Sequence, residues 1–172
     1  GLYKDGLQRA RFLPAIALVS PSLGADAKMA GLLLYQPERQ MRSRVGDVGA
    51  FAAFVQKTQT ACAGAFAAEA REGVEVVIVL KPGGGARAWF VSSLAQPPDR
   101  SQLAAAIAAL PAPPVRAPVA FALAYDLNGF VRPASPSAQL SPPIPAEWRE
   151  RTRTVEGPLE VPDGYLPYVW PD

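Results

Sequence analysis

The chain has 172 residues, 49% of them hydrophobic and only 19% charged, with a net charge of +2 at pH 7. One domain with tails fits that length, and so small a charge speaks against a nucleic-acid partner. With no histidine and a single cysteine, Cys62, an intrachain disulfide, a zinc site of cysteine and histidine, and the commonest general base are all excluded.

Lys4, Arg9 and Arg11 precede the apolar run FLPAIALVSPSLG, and Ala25-Asp26-Ala27 follows it. Basic, apolar and then small-x-small is the order of a secretory signal. Pro14, Ser20 and Pro21 interrupt the run, so residues 1–27 read either as a targeting segment or as an N-terminal helix that ends near Pro21. No run approaches the ~20 apolar residues of a membrane-spanning helix, and no stable membrane span is expected. The stretch LYKDGLQRARFLPAIAL, Leu2 to Leu18, resembles a segment of the ZapE-type AAA+ ATPases, which carry an LY..GLQR.RFLPAI motif. The likeness covers about a tenth of the chain. A G-x-x-x-x-G-K-[ST] phosphate loop occurs nowhere, and ATPase activity is not carried over.

Met29 to Gln36, MAGLLLYQ, reads as a short strand, and the polar, basic PERQMRSR after it as a loop. Asp47 is placed to cap a helix. Val48, Phe51, Val55, Cys62 and Phe66 recur at helical spacing, which predicts an amphipathic helix over 48–71. Gln56, Lys57 and Gln59 fall off its apolar stripe, and Gly73 reads as its stop. Cys62 lies on the stripe, as a small core residue.

The stretch VEVVIVLKPGGGARAWFVSS, Val74 to Ser93, poses the question of a phosphate-binding loop. Val74, Val76, Ile78 and Leu80 alternate with Glu75, Val77, Val79 and Lys81. After the glycines, Ala86, Ala88 and Phe90 alternate with Arg87, Trp89 and Val91. A phosphate loop runs from a strand into a helix. Here both flanks are strand-like, so 74–92 is predicted to be a hairpin, with Lys81 and Arg87 solvated at its end.

Asp99 caps a second helix over 100–110, with Gln102 three places on and Leu103, Ile107 and Leu110 as its stripe. Pro111 to Pro114 stop it. Val119, Phe121, Leu123 and Tyr125 alternate with Ala120, Ala122 and Ala124, predicting a strand over 117–126 with its alanines on a face that a helix could cover. Asn128-Gly129 is a turn. The rest, 130–172, reads as a proline-rich extended tail with a short helical turn around Ala146 to Arg151. Its aromatics, Tyr165, Tyr168 and Trp170, either fold back on the sheet or dock on a partner.

The predicted fold is therefore α+β: a small antiparallel sheet, hairpin 74–92 plus strand 117–126, packed by two helices, 48–71 and 100–110, within a domain spanning 28–129. The order helix, strand, glycine turn, strand, helix, strand resembles the C-terminal domains of the TonB and TolA periplasmic proteins. The glycine turn at Pro82 to Gly85, the serine pair Ser92-Ser93 and the proline-rich lead PAPPVRAPVAFAL carry the likeness, over about half the chain. It implies a periplasmic or secreted protein-interaction module whose partner is another protein, with energy transduction not carried over.

Spacing pairs none of Asp47, Glu69, Glu72, Glu75, Asp99 and Asp126 as acid and base. No catalytic residue, cofactor or metal is expected. The candidate partner-binding residues are Trp89, Tyr165, Tyr168 and Trp170. An inhibitor or immunity-type protein would need no catalytic residues either, and an enzyme with an unmarked carboxylate site is the remaining alternative.

Overall fold

Val74, Val76, Ile78 and Leu80 can face one side of a strand only if Val77 and Val79 face the other. In the computed structural model, which describes residues 27–66, 70–132 and 143–172, both sides of that strand are buried. The strands are β1 (Ala27–Leu34), β2 (Glu72–Lys81), β3 (Gly85–Ser92) and β4 (Val119–Leu127). They form one antiparallel sheet in the order β1-β4-β2-β3. The helices are α1 (Glu38–Arg44), α2 (Val48–Phe66), α3 (Ser101–Ala108), α4 (Ala146–Arg151) and α5 (Leu166–Val169). The fold is α+β, with no helix among the described residues long and apolar enough to cross a membrane. The expectations for residues 1–26 lie outside the described residues.

The hairpin forms as expected. Pro82 and Gly83 take the central positions of a turn closed by the Gly84 N–H on the Lys81 carbonyl, 3.1 Å. Gly83 has φ 67° and Gly85 φ 77°, conformations that side chains disfavour. β2 and β3 then pair without interruption from Val74 with Ser92 to Lys81 with Gly85.

Two cores result, one on each face of the sheet. On the first, α2 and α3 cover Val74, Val76, Ile78, Leu80, Val119, Phe121, Leu123 and Tyr125. The rings of Phe51 and Phe54 stand edge-on to Phe121, 5.3 and 6.4 Å between centroids. On the second face, Val77, Val79, Trp89, Ala120 and Ala122 meet Trp148, Val161, Leu166 and Val169 of the C-terminal segment.

Several local expectations are corrected. The strand at Met29 to Gln36 joins the sheet as β1, one strand more than the three predicted. PERQMRSR is not a loop: α1 forms because Met41 is buried against the core and Glu38 pairs with Arg42 one turn on, 2.5 Å. α2 does not reach Arg71, whose guanidinium instead bonds the Gly129 carbonyl at 3.0 Å. Gly73 lies inside β2, opposite Asp126, and stops no helix; it is glycine where the Phe130 ring occupies the space a Cβ would need.

Within α2 the predicted stripe holds at Phe51, Val55, Cys62 and Phe66, and it differs at two positions. Val48 is 68% exposed, while Gln59 is fully buried with its Nε2 on the Met29 sulfur at 3.0 Å. α3 begins one residue late, because Arg100 leaves the helix for Glu72. The alanines of β4 do face a helix, as expected, but neither α2 nor α3. α2 lies on the opposite face, over Phe121, and the alanines instead admit the large Trp148 of the six-residue α4. The tail is not extended throughout: the predicted turn at Ala146 is present as α4, and α5 is a second.

Candidate functional site

The four aromatics singled out from the sequence are placed by the second core. Trp89 projects from β3 onto the tail side and is 7% exposed. Its ring is perpendicular to that of Trp148, with centroids 5.1 Å apart, and its Nε1 donates to Glu147 Oε2 at 3.0 Å. Tyr165 tilts over the other side of Trp148, 5.2 Å away. Trp170 lies at the hairpin end, with Lys81 Nζ 4.9 Å and the Arg87 guanidinium 5.1 Å from its ring. Lys81 also donates to the Trp170 carbonyl, 2.9 Å, and pairs with Asp172, 2.6 Å. Neither cation is simply solvated, because the Trp170 ring draws both onto itself.

The structure thus gathers Trp89 and Tyr165 around Trp148 and sets Trp170 beside Arg87. Tyr168 stays outward, 42% exposed. Trp148 itself, fully buried at the centre of this cluster, has no periodic signal in AEWRER. The ends of the segment are fastened by charge: Arg44 grips Asp163 with two bonds, 2.9 and 2.8 Å, and the Tyr35 hydroxyl donates to the Pro143 carbonyl.

The carboxylates are committed elsewhere. Glu72 is fully buried and paired with Arg100, 2.6 Å. Glu75 and Asp126 both meet Arg132, each at 2.6 Å. Asp47 accepts the Ala50 N–H and Asp99 the Ser101 N–H, as helix-start acceptors. Glu69 lies outside the described residues. Burial pushes the Cys62 thiol up to about 12, against the smaller lowering effects of the Tyr125 hydroxyl and the Arg100 charge. Among the described residues, no group of cysteine and carboxylate side chains could hold a metal ion.

What is uncommitted is backbone. The Ser93 N–H bonds the Gly73 carbonyl at 2.9 Å. In an antiparallel pair such contacts alternate, so Val91, Trp89, Arg87 and Gly85 turn their main-chain groups toward β2. Ala86, Ala88, Phe90 and Ser92 turn theirs outward. No described residue bonds the outward main-chain groups of Ala86, Ala88 or Phe90. The edge has no proline and no bulge, and its only charge is Arg87. That guanidinium is drawn back, Nη1 lying 3.4 Å from the Val169 carbonyl and its centre over Trp170. The other edge, β1, is broken by a register shift between Met29 and Gly31. Proteins blunt strand edges with charge, proline and bulges; β1 has a register shift and Lys28, while β3 has only Arg87, which is exposed and lies against Trp170.

Comparison with known proteins found no family model, no curated relative and no solved structure that matches the chain.

Proposed function

We propose that this domain is a non-catalytic protein-interaction module that accepts an extended segment of a protein partner along β3. The observation that carries the reading is the β3 edge: a continuous eight-residue strand whose outward main-chain groups no described residue bonds, with Arg87 as its one charge. Strand addition supplies affinity through main-chain bonds and specificity through alternate side chains. Here the alternate side chains are Arg87, Trp89 and Val91 on the tail side and Ala86, Ala88 and Phe90 on the other. Trp170 stands beside the hairpin end as a contact for residues flanking the added strand, and Tyr168 is exposed on the same segment. The resemblance to TonB and TolA C-terminal domains points the same way, and with it goes a periplasmic or secreted location.

Ala88 separates this reading from others. Its N–H points away from β2, so proline there removes no bond of the sheet, but it removes a donor from the open edge. Affinity capture from an extract of the source organism, with wild type and Ala88→Pro side by side, is the test. The expected result is a partner lost with Ala88→Pro while the melting temperature holds. A partner retained at full strength by a folded Ala88→Pro protein would overturn strand addition.

A further inference from the structure

We propose that residues 143–172 form a releasable strap, a unit that lifts from the sheet and returns while the rest of the domain stays folded. The inference stands apart from the reading of β3 as an acceptor edge.

The division follows the hydrogen bonds. The main-chain bonds of this segment are local, such as Trp148 to Pro145, Gly164 to Glu160 and Trp170 to Leu166. Among the described residues, no main-chain bond joins it to 27–132. The four strands pair only with one another, and the first core takes no residue from the segment. Lifting the strap therefore breaks no rung of the sheet and leaves the α2 and α3 side packed.

What holds it is a set of side chains at separate points. Arg44 meets Asp163, Lys81 meets Asp172 and the Trp170 carbonyl, and Trp89 donates to Glu147. Asp172 is 96% exposed, and ion pairs so open to water hold weakly. Trp148, Val161, Leu166 and Val169 supply the apolar grip. Docking also carries a cost that release removes: Trp148 Nε1 is buried and no described residue accepts its proton, whereas water would. Units held by few buried apolar contacts open below the global free energy of unfolding. Opening here bares Val77, Val79, Ala120 and Ala122, and it takes from β3 the strap contacts of Arg87 and Trp89.

Thiol labelling can time the two faces of the sheet separately, because Cys62 lies in the first core and Ala122 in the second. In the full chain carrying Ala122→Cys, the introduced thiol should react at least about tenfold faster than Cys62, as a sub-global opening requires. Ala120→Cys is the alternative position on the same floor. Added to either variant, Ile107→Val weakens the first core alone. It should speed Cys62 severalfold and leave the introduced thiol unchanged. Asp163→Lys sets like charges at the Arg44 contact and should speed the introduced thiol severalfold. Equal rates for the two thiols, or an introduced thiol that Ile107→Val speeds as much as Cys62, would mean that the segment leaves only with global unfolding and would overturn the inference. An introduced thiol indifferent to Asp163→Lys would overturn it too, because the segment would not then lift as one unit.

Discussion

Arg100 meets Glu72 in a buried, two-pronged ion pair, with Nη2 2.6 Å from Oε1 and Nη1 2.8 Å from Oε2. Glu72 opens β2 and Arg100 immediately precedes α3, so the pair ties the helix to the open end of the hairpin. The Ser92 hydroxyl donates to the same carboxylate, and the guanidinium lies over the Phe66 ring, 5.1 Å from its centroid. Two charges out of water are tolerable only when each is this well matched.

Glu72→Gln leaves Arg100 buried without its counter-charge and should cost about 3–5 kcal/mol, read from the denaturant midpoint. The pH dependence has a definite sign. Burial pushes the Glu72 carboxyl up, but the Arg100 bonds, the Ser92 hydroxyl and the Arg100 charge together hold it below its ordinary 4.5. Its folded-state value is therefore the lower one. The pair's contribution is fully present above about 4.5 and is lost as pH falls through the folded-state value. Wild type should lose stability on that acid limb, and Glu72→Gln should show a shallower loss there. Equal acid slopes in the two proteins would mean that Glu72 is not held ionised by Arg100.

Trp148 should behave as a core residue although it sits in a short, charged helix. It is fully buried between Trp89 and Tyr165, on a floor of Ala120 and Ala122. Trp148→Ala should cost about 3–5 kcal/mol, the range for large aromatic truncations. Truncation after Pro158 removes Val161, Leu166 and Val169 from the same core and should lower the melting temperature. An unchanged melting temperature in the truncated protein would mean that the segment contributes nothing to this face.

How much of this could be read from the chain follows from range. The hairpin was legible because proline and glycines separate two alternating, strand-like runs. Phe51, Val55 and Phe66 of the first predicted stripe and Ile107 of the second are buried in one core with Ile78, Leu80, Phe121 and Leu123 of the alternating strand runs, and Phe90 is half-buried against them. α1 was illegible because Met41 is its one buried residue, too little for a period. Trp148 was illegible for the same reason, and its alanine floor looked like a seat for a helix. The arginines that engage the carboxylates lie far off in sequence, 28 residues from Glu72 to Arg100 and 57 from Glu75 to Arg132, and no spacing rule reaches so far. The outward groups of β3 depend on which strand takes the edge, and that is set by the crossover to β4.

Cys62 should be silent in the native protein. It is fully buried, and its thiol is pushed up to about 12, so almost none is ionised at pH 8 and the reactive thiolate is scarce. A disulfide-exchange chromophore should show no fast native reaction and one thiol per chain in guanidinium. Full reaction of the folded protein within minutes would contradict the burial.

Gly73 is held to glycine by its neighbour, not by its backbone. A Cβ there would lie 2.3 Å from Phe130 Cε1 and within 3 Å of two more ring atoms. Phe130 follows the Asn128-Gly129 turn, where φ is 53° and 81°, and its amide bonds the Leu127 carbonyl at 3.1 Å. The Arg132 guanidinium lies 6.0 Å from the ring centroid. Gly73→Ala must therefore push the ring, and with it the turn, away from β2. Overpacking of this kind costs about 1–3 kcal/mol. If the ring is the whole cause, removing it should relieve the strain: Gly73→Ala with Phe130→Ala should be no less stable than Phe130→Ala alone. The comparison is a double-mutant cycle in denaturant, and contacting residues should show clear coupling. Simple additivity of the two changes would place the cost of Gly73→Ala in the strand itself and remove Phe130 from the explanation.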